Sequence, residues 1–437
     1  MPTKHSLRAA ALSVVCMGFG QFYNRQIAKG LLFLLLGIGS ITVFALYLLP
    51  GLQGLITLGT TPRGLMMVDG MYQAVDGDHS IYLMVEGLIC FLVAVLLVAG
   101  YALNIRDARL NGKLRDQGKT PETFRSTLYH LNERHFPYLI LFLPGVAILF
   151  LTILPLLFSI LVAFTDFAAP NLPPAHLVNW NGLQTFGDLL TLRTWSRTFY
   201  GVFVWTCVWA VLSTLTTYAG GIFVAVLIEQ KGVRFRKFWR TILVIPFAIP
   251  NLVSLLVFRN MFNGEFGPVN QFLGYLGIEK IPWLTDPVWA KVTVLLVNAW
   301  LGIPVIMILV SGILTTIPRD LYESAEIDGA SPFKSFRMIT LPLVYFSTAP
   351  VLIMQFAGNL NNFNVIYLLT DGNPVNPKYQ YAGSTDLLVT WLYKLTLNNQ
   401  QYNFSSAIGI IIFVIVAGLS IFNFRRSRSY KEEDMVQ

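Results

Sequence analysis

Eight apolar runs leave this chain little choice of solvent. They fall near residues 28–49, 81–103, 138–164, 200–228, 241–262, 290–316, 340–369 and 406–424. About 20 predominantly apolar residues are what an α-helix needs to cross a bilayer, so each run is expected to be a span. The fourth and seventh hold polar residues and have less sharply defined ends. Composition agrees: 54% of the 437 residues are hydrophobic, only 12% are charged, and the mean hydropathy is +0.59. A soluble domain carries about 25% charged residues. The expected fold is an all-α polytopic membrane protein.

The formal charge of +8 is a topology signal, because its distribution follows the positive-inside rule. With the N-terminus in the cytoplasm, loop 104–137 carries Arg106, Arg109, Lys113, Arg115, Lys119, Arg125 and Arg134. Loop 229–240 adds Lys231, Arg234, Arg236, Lys237 and Arg240, and the tail adds Arg425, Arg426, Arg428 and Lys431. The outside loops hold only Arg63, Arg193, Arg197, Lys280, Lys378 and Lys394. An even number of spans then puts both termini in the cytoplasm, and no nucleic-acid partner is expected. Ala9–Phe22 is short, lacks a cleavage site and leads into "YNRQIAKG"; it reads as an interfacial or partly re-entrant stretch, not a signal peptide. The "GQFYNRQ" within this region suggests no chemistry.

Several site chemistries fall away. Cys16, Cys90 and Cys207 are scattered through or beside apolar runs with neither metal nor disulfide spacing, and the five histidines are dispersed. "GKT" at Gly118–Thr120 lacks a glycine at the P-loop distance, Gly112 being one residue too far, and no strand precedes it. No cofactor is expected in this chain. Glu323, Glu326 and Asp328 lie close together without a His or Ser partner, so no catalytic constellation can be built from them.

The polar residues inside spans are more informative. Span seven contains "MQFAGNLNNFNVIYLL", with Gln355, Asn359, Asn361, Asn362 and Asn364. Gln355, Asn359 and Asn362 recur at helical spacing and share one face. Amides in hydrocarbon either glue helices together or line a substrate path. As both donors and acceptors, they suit a neutral ligand rich in hydroxyls, and Phe356 and Phe363 could offer flat apolar faces. In span six, Asn298, Leu301, Gly302 and Val305 lie on one face, and Gly302 with Pro304 could open backbone to a cavity. Close helix packing is the alternative there. Pro246 and Pro250 should kink span five, while Arg259 can snorkel near its outer end. Spans six and seven contain no acid of the kind that ion coupling needs.

Between these spans stands "YESAEIDGASPFKSFRMITLPL", Tyr322–Leu343. A short helix follows Pro318, with Asp320 as its cap and Glu323 at the capping-box position. Gly329 allows a break, and Pro332 opens a second helix. A helix–Gly–helix hairpin on the cytoplasmic face suits docking into a partner's groove; a solvated connector is the other reading.

The stretch "ESAEIDGA…ITLP" resembles the EAA signature of bacterial ABC importer permeases, with Ser324 where Ala is usual. From about Ile242 to Phe424, "IPFAIPNLVSLLVF", "NAWLGIPVIMI", "FAGNLNNFNVIYLLT" and "AIGIIIF" resemble the MalF-type maltose/maltodextrin permease subunits. The resemblance implies a two-span N-terminal region, 1–137, followed by a six-span permease core, 138–437, of the MetI-like type. It implies that the loop at about 317–342 docks on a dimeric cytoplasmic ATPase through Glu323, Ala325 and Gly329. ATP and Mg are then bound by that partner, and this chain is no enzyme. It further implies a second, MalG-like permease, an extracellular solute-binding protein and an oligosaccharide cargo, all at the bacterial cytoplasmic membrane. The implied sugar site comprises Asn298, Leu301, Gly302, Val305, Gln355, Gly358, Asn359 and Asn362. Gly358 stands where the family usually has an aromatic, and Val305 where it has Tyr, which implies a roomier, less polar pocket. Loop 165–199 is shorter than in the best-known maltose permease, where a folded domain grips the binding protein.

Overall fold

The computed structural model describes residues 4–68, 71–133, 136–230 and 232–426; Arg134, Lys231, Arg428 and Lys431 lie outside them. Among the described residues seven helices are long and apolar enough to span a membrane, and a bent pair, taken as one span, makes an eighth. The chain packs as two compact units, 1–182 and 183–437.

In the first unit, α1 (Lys4–Val15) and α2 (Phe19–Tyr23) precede the spans α3 (Ile27–Thr57), α4 (Ser80–Asp116) and α5 (Phe136–Val162). The stretch expected to lie at the interface or re-enter runs antiparallel along the far half of α4. The Tyr101 hydroxyl donates to the Val14 carbonyl, the Ser6 hydroxyl to that of Arg109, and Asp116 accepts from the backbone of His5 and Ser6. "GQFYNRQ" does have a role: Gln21 donates to the Asn104 carbonyl and to Asp107, each at 3.1 Å, and Asn24 donates to the Ala108 carbonyl at 2.8 Å. Lys29, buried, pairs with Asp107 at 3.2 Å. A hairpin of β1 (Gly64–Val68) and β2 (Met71–Val75) joins α3 to α4; the sequence reading did not anticipate it.

The second unit is built on α6 (Arg193–Glu229) and α9 (Pro287–Thr316). Glycines bring these helices together: a Cβ on Gly302 would lie 2.5 Å from Thr217 Cγ2, and one on Gly221 would lie 2.5 Å from the Ile306 side chain. Such close contact between backbones is how helices gain dispersion energy where no hydrophobic effect operates between them. Between them in sequence, α7 (Arg236–Ala248) and α8 (Asn251–Met261) meet at 92°. Ile249 is extended, as a residue before proline tends to be, and Pro250 caps α8. The expected kink is thus a break in mid-span. After the short α10 (Arg319–Ile327), the seventh run is divided into α11 (Pro332–Leu360) and α12 (Phe363–Leu369). Asn362 caps α12, its side chain accepting from the Val365 N–H. α13 (Leu388–Leu397) and α14 (Tyr402–Arg426) complete the unit.

Three spans contain one wider i→i+5 turn, at Phe44–Leu48, Leu149–Ile153 and Phe336–Thr340. In each, a proline (Pro50, Pro155, Pro342) follows two residues later. Proline lacks the N–H and crowds the carbonyl four residues back; widening the preceding turn relieves that crowding and lets the helix continue.

Ahead of α13, Asp386 is fully buried and accepts from the Gly383 N–H, the Thr390 hydroxyl and Lys394 at 2.7, 2.8 and 2.9 Å. Lys394 also donates to the Asp371 carbonyl at 2.6 Å. Burial pushes the Asp386 carboxyl above the usual carboxylate range, against the pull of Lys394. Gly372, at φ +71°, lies against this carboxylate where any Cβ would collide.

Candidate functional site

The break in span five, the middle of α9 and the start of α12 enclose an open cavity of about 470 Å³. Asn298, Leu301, Gly302, Val305 and Asn362 line it, and no lining side chain is ionisable. Asn298 is 8% exposed, and among the described residues its amide makes no hydrogen bond. Ala248, Ile249 and Pro250, where span five is interrupted, also line the cavity. A ligand there meets amide donors and acceptors on one side and apolar carbon on the other.

Three residues of the expected site lie elsewhere. Gln355 donates to the Thr217 hydroxyl of α6 at 2.7 Å, and Asn359 donates to the Thr214 hydroxyl at 3.0 Å. The Asn359 carbonyl also accepts from the Trp209 indole at 3.1 Å. Both side chains are therefore occupied in helix–helix contact, although Asn359 Oδ1 reaches the Asn362 amide at 3.5 Å. Gly358 is exposed beside open space. The shared helical face of Gln355, Asn359 and Asn362 ends at the break after Leu360, so Asn362 alone of the three reaches the cavity wall.

Sequence reasoning missed Phe247, Asn251 and Asn364 as lining residues. Pro246 and Pro250 announced a kink, but only its size turns α8 so that Asn251 reaches the cavity. Asn364 lay off the expected face because one continuous helix was expected there.

The hairpin has a different character. Gly329, at φ +72°, ends α10, and the Ala330 N–H returns to the Ala325 carbonyl at 2.9 Å, an arrangement that satisfies the last carbonyls of a helix. Pro318, not Asp320, occupies the N-cap position, and no side chain caps that end; the expected capping box does not form. Ser331 caps the second turn instead. Glu323 is exposed and Ala325 half-buried. Ile327, Phe333 and Leu321 are 87%, 71% and 44% exposed, so the hairpin presents apolar side chains as well as acids. Tyr322 ties α10 back to Thr340 at 2.9 Å.

Residues 217–427 match the model of the binding-protein-dependent transport system inner membrane component. Over 98% of this chain and the whole of the relative, the chain is 40% identical to the galactooligosaccharides transport system permease protein GanP of Bacillus subtilis. The chain belongs to this permease family. It is also 34% identical to the maltodextrin transport system permease protein MdxF of the same organism, over 99% of this chain and 98% of that one. A crystal structure of a bacterial ABC transporter that imports alginate superposes with a TM-score of 0.56 at 24% identity, covering 69% of this chain and all of that one; it shares the fold. The permease is thus a multi-pass membrane subunit of the ABC sugar-importer class, and the resemblance carried by the EAA-like segment and the span-seven amides is borne out at the level of family.

Proposed function

We propose that this permease forms one half of the path for a neutral hexose oligosaccharide, with the cavity at Asn298 and Asn362 as its contact in this subunit. The observation that carries the reading is a cavity with amides and no ionisable side chain in its lining. An amide can donate to or accept from a sugar hydroxyl, and no lining charge is left to select an ion. Maltodextrins and galactooligosaccharides both fit this chemistry. The 40% identity to a galactooligosaccharide permease favours the second over the maltodextrin expectation.

Gln355 and Asn359 act in this scheme by fixing α11 on α6, and Gly358 leaves room beside them. The hairpin at Glu323, Ala325 and Gly329 is the surface for a cytoplasmic ATPase dimer that binds ATP and Mg. Its exposed Ile327 and Phe333 supply an apolar contact and Glu323 a charge. A second, homologous permease completes the pore, and an extracellular binding protein delivers the sugar. Both termini then lie in the cytoplasm of a bacterial cell. ATP-driven closure moves the hairpin, and the spans rock around the cavity with no bond chemistry in this chain.

The test is ATPase stimulation of the reconstituted complex by a sugar panel with its binding protein. Galactooligosaccharides should stimulate most, maltodextrins less, and acidic oligosaccharides not at all; stimulation by an acidic sugar alone sinks the neutral-ligand reading. Glu323→Ala should lower ATPase association, and unchanged association refutes the docking role.

A further inference from the structure

At the junction of α2 and α3, a second cavity of about 530 Å³ opens beside the end of α4. Arg25, Arg115 and Lys119 line it together with one acid, Glu122, while Lys29, also in its wall, is already paired with Asp107. Arg115 is held in place, donating to the Tyr23 carbonyl at 2.5 Å with its guanidinium 5.2 Å from the Tyr23 ring centre. Arg25 sits at φ +63°, a conformation that costs an L side chain about 1 kcal/mol and that Gly or Asn adopts more cheaply. This left-handed residue closes α2, with the Gln26 N–H returning to the Gln21 carbonyl at 2.9 Å, and it fixes where the chain turns into α3. Asn24 and Gln26, both buried, also line the cavity, and the side-chain carbonyl of each has no hydrogen-bond partner among the described residues. The cavity lies where span α3 begins, and Ile27, at its rim, is 74% exposed.

A ligand for this site must bring an anion to the exposed Arg25 and Lys119 and the half-buried Arg115, donors to the two amide carbonyls, and apolar carbon toward the start of the span. We propose that the cavity binds the headgroup of an anionic glycerophospholipid. The phosphodiester would meet Arg25, Arg115 and Lys119, headgroup hydroxyls would meet Gln26 and Asn24, and the acyl chains would run along α3 from Ile27. Basic pockets at the ends of spans bind lipid headgroups on this principle. The site is separate from the sugar cavity and does not depend on the cargo.

The test is native mass spectrometry of the assembled transporter released from nanodiscs of phosphatidylglycerol and phosphatidylcholine in equal parts. The unaltered protein should retain phosphatidylglycerol preferentially. R25A/K119A, two changes at exposed side chains, should lower that retention about 30-fold, and Lys119→Arg alone should keep most of the retention that Lys119→Ala alone loses. Equal retention of both lipids, or unchanged retention in the double variant at unchanged melting temperature, overturns the proposal. Should the double variant lose stability, Gln26→Leu gives the second reading, with unchanged phosphatidylglycerol retention counting against the site. Inorganic phosphate that displaces the lipid and stabilises the protein as well as the lipid does would assign the cavity to a soluble anion and overturn the lipid assignment.

Discussion

Buried polar groups in the 183–437 unit follow two patterns. Around Asp386 the set is closed, carboxylate, ammonium and hydroxyl satisfying one another, and between α11 and α6 it is closed but for one amide oxygen, Gln355 Oε1. Around the cavity the set is open, and the Asn298 amide makes no hydrogen bond among the described residues. The same residue types occupy both, so chemistry alone does not separate glue from binding site. The difference lies in whether a neighbouring helix presents a hydroxyl within reach. Thr214 and Thr217 of α6 do so for Asn359 and Gln355, whereas the 92° break withdraws span five from Asn298.

If the closed set is closed, breaking it should cost most. Lys394→Met strands a buried carboxylate and should destabilise the protein by about 3–5 kcal/mol, read as a loss of thermal or denaturant stability in detergent. The pH dependence follows in sign. A carboxyl whose folded pKa is raised above 3.8 contributes stability that is present below the unfolded value and lost as pH rises through the folded one. The deficit of Lys394→Met should therefore shrink on acidification from above the usual carboxylate range, since burial raises the Asp386 carboxyl, the loss of Lys394 raises it further, and a protonated Asp386 leaves no charge stranded. A pH-independent deficit would mean that the pair is not what holds the loop.

Next in size is Gly302→Ala, whose new Cβ would lie 2.5 Å from Thr217 Cγ2. Overpacking of this kind costs about 1–3 kcal/mol, and both stability and transport should fall. Asn298→Ala should behave otherwise. Losing one hydrogen bond to a neutral ligand should weaken half-saturation for sugar about two- to tenfold, with the melting temperature unchanged. If instead Asn298→Ala lowers the melting temperature as much as Gly302→Ala does, the open set is structural and the comparison collapses.

Much of this was legible in the sequence because span length and charge bias are set by the bilayer, which imposes the same demands at every span. The hairpin was legible for a local reason: Gly329 must adopt positive φ, and Pro332 can only begin a helix. The site was half legible. Helical spacing placed Asn298, Leu301, Gly302 and Val305 on one face, and the cavity unites them. It failed at Gln355 and Asn359, because periodicity names a face but not the helix that the face meets. The threonines of α6 that take up those amides lie roughly 140 residues earlier and carry no signal that pairs them. "GQFYNRQ" was opaque for the same reason, its partners being Asn104, Asp107 and Ala108 of α4.

The smallest effect is the most discriminating. Gln355 Nε2 donates to a Thr217 hydroxyl that itself donates to the Ser213 carbonyl at 2.7 Å, while Gln355 Oε1 is buried without a partner among the described residues. Only one of the two polar ends of this amide is used for helix contact. A double-mutant cycle of Gln355→Leu and Thr217→Val should therefore give a coupling of about 0.6 kcal/mol, the average for intramembrane hydrogen bonds, measured by reversible unfolding in detergent. The single Gln355→Leu should cost little more than that, since it also removes an unsatisfied oxygen. A coupling near zero together with impaired sugar stimulation would move Gln355 from the closed set to the open one, because its free carbonyl would then be the end that matters.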